Sequence, residues 1–121
     1  MAEEYIKRTE RYSHAEMREI HATRFDLWAK HPQATKVLLD PQGKTFNSFQ
    51  FAELVRKAED RGRDLAFVIG GAEGYPAGWR EKADLLWSLS AMTLPHELAR
   101  VIVAEQIYRA FTILRGHPYS K

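Results

Sequence analysis

The 121-residue chain predicts a three-layer α/β fold built on a mainly parallel sheet. Short apolar runs at residues 36–40 (KVLLD) and 65–69 (LAFVI) read as buried strands, because they are apolar without alternation. Each is followed by a segment with the 3.6-residue period of a helix, and this succession calls for parallel strands joined by crossover helices. An apolar fraction of 45% and an aromatic fraction of 12% exclude a disordered tail, and the length allows one modest core in one domain.

Residues 3–12 are charged, with Ile6 as their only aliphatic side chain, and read as a helix or the tail of one. Residues 13–23 (SHAEMREIHAT) fit neither period; a short strand around residues 17–20 is preferred over continued helix. RFDLWAKH is a helical turn that Pro32 ends, since a residue before proline is pushed out of the helical region. The strand at 36–40 closes at Pro41 and Gly43. Asn47 or Ser48 then caps a helix whose Phe51, Leu54, Val55 and Ala58 fall on one face, with Gly62 as its stop. After the strand at 65–69 comes a glycine-rich loop, and Pro76 opens a helix carrying Trp79, Ala83 and Leu86. A strand at 89–92 and a long helix over residues 95–114, capped by Thr93, complete the order.

That last helix is apolar nearly all round: Leu98, Val101, Ile102, Val103, Ile107, Tyr108, Phe111, Ile113 and Leu114 occupy most of its circumference. A helix of this kind must be covered on all sides. A small sheet covers one side, so a second copy of the chain is expected on the other. Ligands in open parallel sheets collect at the carboxyl ends of the strands, here Asp40, Gly70 with Gly71, and the turn at residues 93–95.

Eighteen basic and sixteen acidic residues leave a net charge of +2, which admits a nucleic-acid partner without requiring one. The absence of cysteine excludes disulfides, thiolate metal sites and a cysteine nucleophile. His14, His21, His31, His96 and His117 have no metal-ligand spacing, so no metal is expected. No apolar run is long enough for a membrane span, and the charged opening MAEEYIKRTERY points to cytoplasmic residence.

GGAEG at residues 70–74 stands where a nucleotide loop would, yet Ile69 breaks the dinucleotide fingerprint and no Lys-Ser or Lys-Thr pair follows for a P-loop. The loop is either a tight turn needing positive φ or a place where backbone approaches a ligand closely. His96, at the start of the long helix, is suited to a neutral hydrogen-bonding role or to packing. Glu105 and Arg109, four apart, pair across one helix turn, and Arg100 and Arg109 are suited to RNA phosphate.

From residue 36 onward the chain resembles the ribosomal RNA large subunit methyltransferase H family of the SPOUT class. The resemblance rests on KVLLDPQGK, FVIGGAEG, WSLSAMTLPHELARVIVAEQIYRA and HPY, in that order. It implies a SPOUT methyltransferase domain over residues 1–121 with a deep trefoil knot, and an obligate homodimer. The implied cofactor is S-adenosylmethionine, with methyl transfer to N3 of a pseudouridine in 23S rRNA of the assembled ribosome. It assigns cofactor contacts to Leu39, Asp40, Gly71, Ser90, Ala91, Met92, Thr93, Leu94 and Pro95. The base nitrogen is protonated at neutral pH, so His96, Glu105, Arg109, His117 and Tyr119 are the candidates for helping its proton leave, with no choice among them. Family members begin with a strand, a turn and a helix start, and EEYIKRTERY resembles only the end of that helix. Residues 1–35 therefore read as a truncated or divergent amino-terminal part lacking the first strand, and residues 36–121 as the cofactor-binding knot and dimer helix. The alternatives are a catalytically impaired S-adenosylmethionine- or RNA-binding relic of this family, and a nucleotide-binding module of ordinary doubly wound topology.

Overall fold

A computed structural model describes residues 1–21, 24–71 and 73–119. Ala22 and Thr23 at the end of the 13–23 segment, Ala72 of the glycine-rich loop, and Ser120 and Lys121 of the tail lie outside the described residues. The elements are α1 (Ala2–Thr9), α2 (Leu27–Lys30), β1 (Thr35–Lys44), α3 (Ser48–Asp60), β2 (Leu65–Val68), α4 (Trp79–Lys82), β3 (Leu85–Trp87) and α5 (His96–Leu114). The strands form a parallel sheet in the order β2-β1-β3, with Val37 opposite Phe67 and Leu85.

Helices cover both faces of this sheet, as three-layer architecture requires. Val37 and Leu38 are both fully buried, and alternation along β1 sends them to opposite sides. Val37 joins Phe51 and Val55 of α3, Trp87 of β3, and Val103, Ala110 and Phe111 of α5. Leu38 joins Leu27 and Trp79 from α2 and α4, with Val68 and Leu86 packed around them. The first core is centred on Phe51, whose ring stacks on Trp87 at 4.5 Å between centroids.

Local chemistry sets most element boundaries. Asn47 rather than Ser48 caps α3: its side chain accepts the Gln50 N–H, and Gln50 returns the bond to the Asn47 N–H. Gly62, at φ +64°, stops the helix as expected. The helix anticipated from Pro76 begins only at Trp79, because Gly78 adopts φ +88° and breaks the helical run, so Leu86 belongs to β3 instead of to that helix face.

Three strand expectations are corrected. Residues 14–21 hold no strand; β1 already has a neighbour on each edge, and Ile20 stays exposed. The strand expected to close at Pro41 and Gly43 continues to Lys44 across a register shift, with Leu39 and Lys44 both facing Trp87. Pro41 lies within that shift, where no ladder N–H is needed. Gly43 allows the close approach: a Cβ there would stand 2.7 Å from the Trp87 nitrogen and nearer still to the Leu86 carbonyl. β3 covers residues 85–87 instead of 89–92, because Asp84 anchors its start. The Asp84 N–H donates to the Lys36 carbonyl and its carboxylate accepts the Lys36 N–H at 2.8 Å. Ser88 then donates its N–H to the Lys44 carbonyl at 2.7 Å.

Pro95, not Thr93, stands at the cap of α5, and no side chain caps it. The sheet and α3 pack on this helix, and α1 with the turn after it adds further cover through Tyr5 and Tyr12 against Tyr108 and Phe111. Every residue from 99 to 114 is at least half-buried within one chain, so much of the cover assigned to a second copy comes from α1. Leu98 in the first turn of the helix remains 47% exposed, and Met92 in the loop before it 74%.

Candidate active site

The carboxyl ends of β1 and β2 meet at a tyrosine. Tyr75 reaches back from the glycine-rich loop so that its hydroxyl accepts the Gly70 N–H at 3.1 Å and donates to the Leu39 carbonyl at 2.5 Å. The Val68 carbonyl lies 3.0 Å from the same oxygen. Burial pushes this phenol up to about 12, so it stays protonated at neutral pH and keeps donating. Beside it, Asp40 accepts the Gln42 N–H at 2.8 Å and the Arg80 Nε–H at 2.6 Å. Burial raises the Asp40 carboxyl, but the Gln42 amide and the Arg80 guanidinium outweigh it and hold the group below the ordinary carboxylate range.

Leu39 and Asp40 are half-buried at this edge and Gly71 is exposed. Gly71 does not take a positive φ, contrary to one reading of the loop; Gly74 does, at +77°, and bridges back to Gly71. A Cβ built on Gly71 meets nothing within 4 Å, so open space adjoins the backbone there.

The third loop runs from β3 to α5. Buried Ser88 donates its hydroxyl to the Ser90 carbonyl, and Ser90 Oγ accepts the Met92 N–H at 2.9 Å. These turns leave Ala91, Met92, Thr93 and Pro95 exposed and Leu94 half-buried. The loop delivers His96, whose Nδ1 lies 3.4 Å from the Gly70 carbonyl. Leu39, Gly70 and His96 are thus joined through Tyr75 and the Gly70 peptide, and the three loops share one open face. That face presents apolar Leu39, Met92 and Leu94, exposed loop backbone, and unfilled space at Gly71.

The other candidates form a separate cluster. Arg109 donates through Nε and a terminal nitrogen to Glu105 Oε2 at 3.0 and 2.6 Å, and the Tyr119 hydroxyl donates to the same oxygen at 2.9 Å. The Arg109 guanidinium sits 4.9 Å above the Tyr119 ring, which meets Tyr108 edge-on. Burial, then the hydrogen bond to Glu105, raises the Tyr119 hydroxyl far above the ordinary phenol value. His117 is exposed, its ring at 71° to that of Tyr12 with centroids 6.5 Å apart. His96 is nine residues from Glu105, about 14 Å along the helix at ~1.5 Å per residue. Within one chain, therefore, Glu105, Arg109 and Tyr119 come together while His96 belongs to the loop face.

The family model described as Predicted SPOUT methyltransferase matches residues 1–120. The chain belongs to the SPOUT methyltransferase family. Among its relatives is "Ribosomal RNA large subunit methyltransferase H" of Solibacter usitatus, 59% identical over 121 residues, covering 100% of this chain and 87% of the relative. The proteins of the same name from Thioalkalivibrio sulfidiphilus and Chromobacterium violaceum are 52% and 49% identical over 88 and 90 residues. Those matches cover 70% and 74% of this chain but only 54% and 58% of the two relatives.

In this SPOUT methyltransferase, Tyr75 and Arg80 were missed by reasoning from residue spacing. Their partners lie 36 and 40 residues away, and only the crossover brings them together. A cavity of about 310 Å³, lined by Phe46, Ser48, Trp87, Ile102 and Gln106 among others, lies beside the base of the third loop instead of at Gly71. Among the described residues no group of three or more metal-ligating side chains is present, and no helix is long and apolar enough to cross a membrane.

Proposed function

We propose that this SPOUT methyltransferase transfers a methyl group from S-adenosylmethionine to N3 of a pseudouridine in 23S rRNA of the assembled ribosome, in the cytoplasm and as a homodimer. The observation that carries the reading is the meeting of three loops at the carboxyl ends of parallel strands, in a chain aligned over its whole length with a relative named for large-subunit rRNA methylation. When bound, the cofactor supplies an activated methyl on a sulfonium, so the protein's task is alignment more than activation.

Leu39, Asp40, Gly71 and Ser90, Ala91, Met92, Thr93, Leu94 and Pro95 are the residues that would hold it. Gly71 and the exposed loop backbone offer close approach, and Leu39, Met92 and Leu94 exclude water from a ring face. His96 is available to the base edge at this face. Glu105, Arg109, His117 and Tyr119 complete the proposed catalytic set. Tyr119 keeps its proton and donates it to Glu105, so it orients the carboxylate instead of acting as the base.

The separation of that cluster from His96 supports a site shared between two copies, with the carboxyl-terminal tail of one chain approaching the loop face of the other. Exposed Leu98 and Met92 beside this face are consistent with further cover by a partner. The deep trefoil knot belongs to the same proposal, with residues 36–121 forming the cofactor-binding knot. The test is incubation of the protein with labelled S-adenosylmethionine and ribosomes lacking the modification, followed by nucleoside analysis. Label in 3-methylpseudouridine is expected; no label in any nucleoside would overturn the enzymatic reading. Light scattering is expected to give twice the chain mass, and a monomer at micromolar concentration would refute the shared site.

A further inference from the structure

We infer that Tyr75 is a positioning residue for the cofactor, a pin that holds the Gly70 and Gly71 loop at a fixed height over the end of β1. The inference rests on the proposed cofactor role of Leu39, Asp40 and Gly71, and goes beyond it by assigning a residue that does not itself line the loop face.

The pairing of β1 with β2 ends here, at Leu38 and Val68, so the peptide groups just beyond have no ladder partners between these two strands. One phenol hydroxyl replaces them. It accepts from the Gly70 N–H at 3.1 Å, and its single proton lies between the Leu39 carbonyl at 2.5 Å and the Val68 carbonyl at 3.0 Å. The bulged part of β1 and the glycine-rich loop, which share no backbone hydrogen bond among the described residues, are thereby tied at one atom. The ring is held as firmly as the hydroxyl. It stacks on Trp79 at 6.4 Å and 19°, and it lies against Gly70 so closely that a Cβ there would come within 3.1 Å of it. Trp79 itself is buried with Leu38 and Leu27. Asp40, next to Leu39 in β1, is braced from the same segment through Arg80. The chain from Tyr75 to Arg80 therefore fixes the glycine-rich loop against Leu39 and Asp40 of β1, while leaving the open side of Gly71 free.

Geometry of this kind acts on binding, because a loop that must be re-ordered on each encounter lowers affinity. Tyr75→Phe keeps the ring and its stacking and removes only the hydroxyl. Calorimetry with S-adenosylmethionine is expected to show at least a tenfold rise in Kd for this variant. In turnover, KM for S-adenosylmethionine should rise by a similar factor while KM for ribosomes stays within twofold. Hydrogen exchange at the Gly70 amide should be slow in the unaltered protein and faster in the variant. An affinity within twofold of the unaltered protein, whatever the change in thermal midpoint, would overturn the proposal and leave the cofactor reading intact. If the unaltered protein binds no S-adenosylmethionine, the cofactor reading fails and this proposal falls with it. Should Tyr75→Phe not fold, the exchange measurement on the unaltered protein decides alone: an unprotected Gly70 amide would refute the pin.

Discussion

Replacing Gly43 by alanine tests whether the junction of β1 and β3 is as tight as the structure requires. The added Cβ would stand 2.7 Å from the Trp87 nitrogen and closer to the carbonyl carbon and oxygen of Leu86, all backbone atoms that no rotamer change can move. The strands must separate by several tenths of an ångström or more, at a cost of about 1–3 kcal/mol for overpacking. Separation also strains the bond from the Ser88 N–H to the Lys44 carbonyl, worth about 1 kcal/mol. It shifts Trp87 from its stack on Phe51 as well. The expected loss is about 2–4 kcal/mol, from a total on the order of 6–18 kcal/mol for a chain of this length. With a urea dependence of ~2 kcal/mol per molar, the unfolding midpoint should fall by about 1–2 M. Gly62→Ala is the comparison, since Gly62 has φ +64° but nothing within 4 Å of a built Cβ. Strain alone costs about 1–2 kcal/mol there. A Gly43→Ala midpoint within about 0.3 M of the unaltered protein, or a smaller loss than at Gly62, would refute the close approach.

Gly71→Val should fold with little change in thermal midpoint, because its Cβ meets open space, yet weaken S-adenosylmethionine binding by more than tenfold by calorimetry. Deleting residues 117–121 should spare folding but abolish methyl transfer to unmodified ribosomes, with cofactor affinity reduced only moderately; turnover at the full rate would remove His117 and Tyr119 from the site. Arg80→Ala should raise the Asp40 pKa, followed by carboxyl-carbon NMR titration. Because the folded value is depressed, the stability that Asp40 contributes is present above about pH 4 and lost as pH falls through the folded value. The variant should therefore lose stability near neutrality and lose less than the unaltered protein on acidification.

The amino-acid sequence by itself determined the α/β class, the parallel arrangement, the α3 stop with its cap narrowed to Asn47 or Ser48, and the all-round burial of the last helix. These follow from local periodicity, from the capping residues Asn47 and Ser48 ahead of α3, and from where glycine and proline stand. The family was legible too, because long ordered segments such as WSLSAMTLPHELARVIVAEQIYRA carry far more information than any loop motif. The ends of the strands were not legible. LLWSLSAM is apolar enough for a strand anywhere within it, and the choice of residues 85–87 is made by Asp84 bonding to Lys36, 48 residues away. Likewise Gly43 looked like a terminator and proved to be a contact point, since only the β3 backbone packed beside it explains the missing side chain. Tertiary structure alone decided that Tyr75 and Arg80 brace the loop face and that α1, from the opposite end of the chain, covers α5. The physical reason is the same in each case: sequence periodicity reports which face of an element must be covered, but not which distant segment covers it.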